Sequence, residues 1–512
     1  MFLEKEGGRK MENTFIQKIR NENNYVITEN GGKAYKSTLS ALYDLFAFGG
    51  AYRSRSEEDC ILLFKNAFEE NPQLALKCLF YLRDIRGGGQ GERRFFRVCF
   101  NWLAKKYPTI AAANISNIAE YGRYDDLYCL IDTPIESKAL DFIKEQLKKD
   151  LESLKNSNKT GVSLLAKWIK SENASSKETK RLANKTREYL NLSHKQYRKM
   201  LSALRTRINI VEKLMSEDRW DEIEFDKIPS KAGLIYRNVF AKKDITAKRY
   251  EEFISNKNTK VNAKTLYPYE IVNQVTKKYN GYWFKKMTET ERETLQKYWD
   301  NQIDYLEGKK CKIMCVVDTS GSMTRGNANC KPIDVAISLG MYCAERIGEP
   351  FKNYFISFSA TPKFIKIEGT DFVDKVKRIY DQNLCANTDL AAVFDLLKRY
   401  LIEGVNPADM PDTLVVISDM EIDQGSYWRS MGQVETEMEK IRNEWATKGF
   451  KLPKLVFWNV NARNNIVLDK GTNISLVSGC SPTIFKSVMT GKSSIDLMLE
   501  ILLSKRYQQI GV

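Results

Sequence analysis

"KIMCVVDTSGSM", from Lys312 to Met323, ends an apolar run on Asp318 and then presents Ser320 and Ser322 on either side of a glycine. Two more oxygen donors occupy comparable places. Thr388 in "CANTDLAAVF" opens a helical stretch, and Asp419 ends the apolar run "LVVISDM". Carboxylate and hydroxyl oxygens are hard donors, and Mg²⁺ takes about six of them in octahedral array while keeping some waters. Asp318, Ser320, Ser322, Thr388 and Asp419 are therefore candidate ligands for Mg²⁺ or another hard divalent cation, with a position left open. Helix capping by Asp318 and Thr388 is the alternative. It accounts for each residue alone, but not for three segments that converge on strand ends.

A second chemistry lies in the charge distribution. The net charge is +16, with 55 Lys and Arg against 40 Asp and Glu in residues 1–300, and 26 against 25 in residues 301–512. Leu151 to Ile210 alone hold 14 basic and 4 acidic residues. A basic excess concentrated in one segment is an electrostatic footprint for polyanions. Solvated helix faces are the bland alternative, and they explain a mild, dispersed excess better than a local one.

Other catalytic chemistries have little support. His194 is the only histidine, so a Ser-His-Asp triad has one position to occupy, and no nucleophile motif accompanies it. The ten cysteines, among them Cys311, Cys315 and Cys385, are scattered without a C-x-x-C pair, and are expected to be reduced core residues of a cytoplasmic protein. Gly87–Gly91 in "RGGGQGER" follows a helical pattern and lacks the Lys-Ser/Thr of a phosphate loop, so an inter-helix turn is expected there. The opening "MFLEKEGGRKMENTF" has no apolar core of a signal peptide, and no stretch reaches ~18 consecutive apolar residues, so neither secretion nor membrane insertion is expected.

The elements that must position these residues fall into two textures. "LALKCLFYLRDIR", "RRFFRVCFNWLAKKY", "IAAANISNIAEYG", "SKALDFIKEQLKKDLESLK" and "YRKMLSALRTRINIVEKLMS" carry apolar residues at helical spacing. Short breaks such as "GGGQGE", "YPT", "YGRYDD" and "NSNKTG" separate them, which predicts stacked helical pairs of an α-solenoid with degenerate repeats. From about Gly308, "CKIMCVVD", "NYFISFS", "TLVVISDM" and "KLVFWNV" read as strands alternating with helical stretches. Such alternation predicts a mainly parallel sheet with helices on both faces, whose ligand site lies at the carboxyl ends of the strands.

With those residues in place, the second part resembles the von Willebrand factor A domain, in which D-x-S-x-S, a Thr and an Asp form a metal-ion-dependent adhesion site. "ENGGKAYKSTLSALYDLF", "LFYLRDIRGGGQGERRFFR" and "YGRYDDL" resemble the TROVE-module (Ro ribonucleoprotein-like) proteins. "LVSGCSPTIFK" is similar to their less characterised bacterial and viral branch. The resemblance implies a tail at 1–27, an α-helical HEAT-like domain at 28–305 and a Rossmann-like von Willebrand factor A domain at 306–512. In Ro proteins such helices close a ring, and the resemblance offers that shape for this chain. "LSHKQYRKML" resembles the Ser-His-Lys segment that faces the Ro cavity for single-stranded RNA ends. It implies RNA-contacting roles for Lys177, Arg181, His194, Lys195 and Arg198.

Three classes of function follow. The first is a non-catalytic, cytoplasmic RNA-binding protein for single-stranded or structured small RNA. The second is a metal-dependent interaction scaffold in which a partner protein's Asp or Glu completes the Mg²⁺ shell. The third is a hydrolase using the metal. It is the weakest, because no second metal cluster or positioned base is legible.

Overall fold

The computed structural model describes residues 24–155, 161–208, 210–279, 284–307, 312–326, 329–381, 387–423, 436–469, 473–488 and 494–512. The first 23 residues, Cys311, Cys385 and most of the "NSNKTG" break lie outside the described residues. A small antiparallel hairpin comes first, β1 (Tyr25–Ile27) paired with β2 (Lys33–Tyr35), with Tyr25 opposite Tyr35 and Ile27 opposite Lys33. A helical run follows as far as Asp300, and then a sheet with its own helices.

The helices start and stop where local chemistry dictates. Ser56 caps Glu57–Glu70 by accepting from the Asp59 amide, and three acidic residues fill that helix's first turn. Asn71 ends this helix and caps the next, Pro72–Arg83, whose first position tolerates proline because no intrahelical donor is needed there. "IAAANISNIAEYG" forms two short helices, Pro108–Ala113 and Ile115–Tyr121, instead of one. The Gly87–Gly91 segment is an inter-helix turn, with Gly88 and Gly91 at φ +91° and +71°. A Cβ on Gly91 would lie 2.0 Å from the Tyr267 hydroxyl, which donates to the Gln90 carbonyl at 3.0 Å. Two segments of the helical run that are 177 residues apart therefore meet.

The sheet contains β3 (Ile313–Asp318), β4 (Tyr354–Phe358), β5 (Phe364–Lys366), β6 (Thr413–Ser418), β7 (Lys454–Asn459) and β8 (Ile474–Ser478), in the order β5-β4-β3-β6-β7-β8. All neighbours are parallel except β5, an antiparallel edge on β4. From β3 the chain moves outward to β4 and β5, then returns to β6 on the other side of β3. This reversal opens a crevice outside the ends of β3 and β6. Every residue of β3 is buried, as expected of a strand covered on both faces.

Alternate strand residues enter two different cores. Met314, Val316, Leu414, Val416, Leu455 and Phe457 join a core that includes helices of the first 208 residues. Ile313, Cys315, Val317, Val415, Ile417 and Trp458 join another, with residues 211–306 and the helices Pro332–Arg346 and Phe372–Asp381. The period of two in the strands thus distributes their side chains between the two parts of the helical run. No described helix is long and apolar enough to cross a membrane.

Candidate metal centre and nucleic-acid interface

Asp318 is the last residue of β3, and Asp419 follows the last residue of β6. Pairing of Val317 with Ile417 brings the two strand ends side by side. Both carboxylates are fully buried. The Asp318 Oδ1 accepts from the Ser320 amide at 2.8 Å and its Oδ2 from the Ser418 hydroxyl at 2.6 Å. Burial, and then the neighbouring Asp419 carboxylate, push the Asp318 carboxyl up to about 7 despite these bonds. The Ser320 and Ser322 hydroxyls are 3.0 Å apart. Asp318, Ser320, Ser322 and Asp419 therefore form one cluster.

Thr388 reaches the same edge through the loop that follows Asp419. It stands two residues before the helix Leu390–Ile402, whose cap is Asp389, and its hydroxyl donates to the Glu421 carbonyl at 2.8 Å. It also accepts from Asn30 Nδ2 at 3.3 Å, which leaves one of its two lone pairs for another partner.

The donor set fits a hard cation. Two adjacent buried carboxylates carry more negative charge than their hydrogen bonds balance, and three hydroxyls retain acceptor capacity. Asp419 Oδ2 lies 3.1 Å from Arg463 Nη2 but has no aligned hydrogen-bond donor. Among the described residues no group of three or more His, Cys, Asp or Glu side chains is arranged to hold a metal.

Several contributors escaped sequence reasoning. Arg463 pairs with Glu29 as well as Asp419, and Glu29 donates its amide to Glu421 Oε2 at 2.8 Å. Asn30 donates to the Glu421 carbonyl at 2.7 Å, and Gly31 bridges to Asp423. The β1–β2 turn thus covers the loop that carries Asp419. Asp423 has a buried Oδ2 without a hydrogen-bond partner, and burial pushes its carboxyl upward. Ser418 and Arg463 had a signal, since both are polar residues at or just past the ends of apolar strands. The hairpin, at an expected domain boundary, had none.

The basic segment forms the helices Lys177–Tyr189 and His194–Ile208. Lys177, Lys180, Lys195, Arg198, Lys199 and Arg207 are exposed. Among the described residues none of them has a carboxylate partner; Arg198 bonds only the His194 carbonyl. Arg181 differs, being held by Asp132 at 3.0 Å and Glu178 at 2.8 Å. His194, 65% exposed, shares Glu172 with Arg187 at 2.7 and 3.0 Å. His194, Lys195 and Arg198 share one helix, whereas Lys177 and Arg181 lie in the first turns of the preceding one. Arg198 also borders a cavity of about 600 Å³, with Lys167, Ser171, Tyr197 and Arg205 among its lining residues.

The chain is similar to two families, both of unknown function. Residues 28–138 and 169–310 match a domain of unknown function (DUF2828), and residues 312–508 match another (DUF7788). An uncharacterised protein of Acanthamoeba polyphaga mimivirus is 29% identical over 94% of this chain and 87% of its own length. Among solved structures, the Ro (RSR) protein of Deinococcus radiodurans is 14% identical, with a TM-score of 0.47 over 89% of this chain and 100% of its own.

Proposed function

We propose that this chain is a non-catalytic RNA-binding protein that holds single-stranded RNA or RNA ends against its basic helices, with a Mg²⁺-dependent ligand site in its C-terminal domain. The observation that carries the reading is the set of exposed Lys177, Lys180, Lys195, Lys199 and Arg207 on two consecutive helices, without carboxylate partners among the described residues. Exposed cations without carboxylate partners release counterions when they meet phosphates, which favours polyanions. Unpaired bases can stack on His194 and on the planar Arg198 guanidinium, and the Ro-like resemblance of "LSHKQYRKML" points the same way. Filter binding with single-stranded and duplex RNA across a salt series tests it. Single strands are expected to bind more tightly, with a marked fall in affinity as salt rises; equal, salt-independent binding of both would refute the reading.

In this reading Asp318, Asp419, Ser320, Ser322 and Thr388 would hold Mg²⁺, which supplies a positive docking point for a carboxylate. This oxygen set also supports a second reading, a metal-dependent protein-interaction scaffold without RNA. Calorimetry with Mg²⁺ alone and RNA binding with and without Mg²⁺ separate the two. Metal binding in a protein that ignores RNA would move the scaffold reading to first place.

A further inference from the structure

Cys330 and Cys480, 150 residues apart in sequence, bring their Sγ atoms to 4.0 Å of each other. Cys330 is partly exposed in the segment after the D-x-S-x-S turn, and Cys480 is buried just beyond β8. Arg53, from the first helices, donates from Nη1 to Cys330 Sγ at 2.7 Å and also to Cys480 Sγ. The same guanidinium is held in place by Glu92, with Nε at 2.8 Å from Oε1, and lies 5.8 Å from the Tyr269 ring centroid. Cys330 also stands two residues before Pro332, where the 15-residue helix Pro332–Arg346 begins.

We propose that Cys330 and Cys480 are a redox-reactive thiol pair, with Cys330 the sulfur oxidised first by a peroxide-class oxidant and Cys480 its resolving partner. The Cys330 thiolate attacks one peroxide oxygen, the O–O bond breaks and hydroxide leaves. The sulfur is oxidised to a sulfenic acid as the peroxide is reduced. Cys480 Sγ then attacks Cys330 Sγ, the S–O bond breaks, and the oxygen leaves as water with the Cys480 thiol proton. The disulfide needs an approach of about 2 Å from the present spacing, since the S–S bond is about 2.05 Å. That approach requires a small adjustment of the segment around Cys330.

The environments of the two sulfurs agree with these roles. The hydrogen bond from Cys480 and the Arg53 guanidinium, working against burial, bring the Cys330 thiol down to about 6. Burial instead pushes up the thiols of Cys60, Cys78, Cys99, Cys129 and Cys480. A thiol whose folded value is depressed is thiolate at neutral pH and loses that form as pH falls through about 6. Oxidation would remove the thiolate and leave Arg53 balanced by Glu92 alone, at the junction of the helical run with the sheet.

Peptide mapping of the reduced full-length protein after hydrogen peroxide tests the pair. The expected product is a Cys330–Cys480 linked peptide, lighter by two hydrogens and restored by reductant. Cys480→Ser is expected to trap a sulfenic acid at Cys330, captured by a carbon nucleophile, and Cys330→Ser to abolish both products. Alkylation of Cys330 across a pH series should rise with a midpoint near 6, and Arg53→Ala should move that midpoint upward. If the linked peptide is absent from wild type, or Cys330 titrates like an ordinary thiol, the proposal fails, whether or not the variants fold.

Discussion

At the scale of single residues, the strand-end cluster makes two opposed predictions. Asp318→Ala should remove divalent-ion binding in calorimetry while leaving the far-UV circular dichroism intact, because one of two carboxylates is lost from a loop edge; unchanged binding would sink the metal site. Arg463→Ala should act the other way. Its guanidinium lies 3.1 Å from Asp419 Oδ2 and competes with a cation for that oxygen, so its removal should strengthen Mg²⁺ binding. The basic helices make a graded prediction. At a single-strand slope of ~0.7 per phosphate, neutralising two free cations would flatten the salt dependence of log K by about 1.4. Arg181, however, is already paired with Asp132 and Glu178, so neutralising Lys177 and Arg181 together should remove only about 0.7. Replacing Lys195, Arg198 and Lys199 should remove about 2. His194→Ala should weaken binding with little change of slope. A filter-binding salt titration of the four proteins separates these outcomes, and equal slopes throughout would mean that the basic segment is a solvated face.

At the scale of elements, helix and strand placement below the site is tightly constrained. A Cβ on Gly340, in the helix Pro332–Arg346, would lie 2.4 Å from Val317 Cγ2, one residue before Asp318. Gly340→Ala should therefore overpack the helix against β3 and cost about 1–3 kcal/mol, despite alanine's better helix propensity. Thermal unfolding measures the loss, and weakened Mg²⁺ binding in the same variant would show that β3 carries Asp318 with it. An unchanged melting temperature would argue against this packing. The four strands read from β-rich runs are present because their apolar residues are long, continuous and bounded by turns. The antiparallel β5 was not legible, since "KFIKI" is short and half exposed and is recruited only by pairing with β4. The β1–β2 hairpin was missed for a similar reason: its three-residue strands are held by docking on the Asp419 loop and on Val467.

At the scale of the whole molecule, the helical run and the sheet stabilise each other. Helices of the first 208 residues share a core with one face of the sheet, and residues 211–306 share a core with the other. Deleting residues 306–512 would uncover both. The expected product retains helix by circular dichroism but binds hydrophobic dye and associates in sedimentation. A monomeric truncated protein as stable as the full chain would show that the shared cores contribute little. The Tyr267–Gln90 bond adds a direct contact between two distant segments of the run.

What the sequence alone determined was local. Apolar periodicity marked helices and strands, because side-chain direction repeats every 3.6 or two residues wherever one face is buried. Oxygen-bearing residues at the ends of apolar runs marked the sheet edge, because α/β connections place loops there. The charge count marked Leu151–Ile210 because charge is additive along the chain. The tertiary structure decided everything that depends on residues far apart in sequence meeting in space. It set Arg463 and the Glu29–Asn30 turn against Asp419, paired Arg181 with Asp132 and Glu178 while giving Lys177 no carboxylate partner among the described residues, and gathered Arg53, Cys330 and Cys480 into one cluster. None of these contacts has a sequence period, since each depends on which faces the two cores press together.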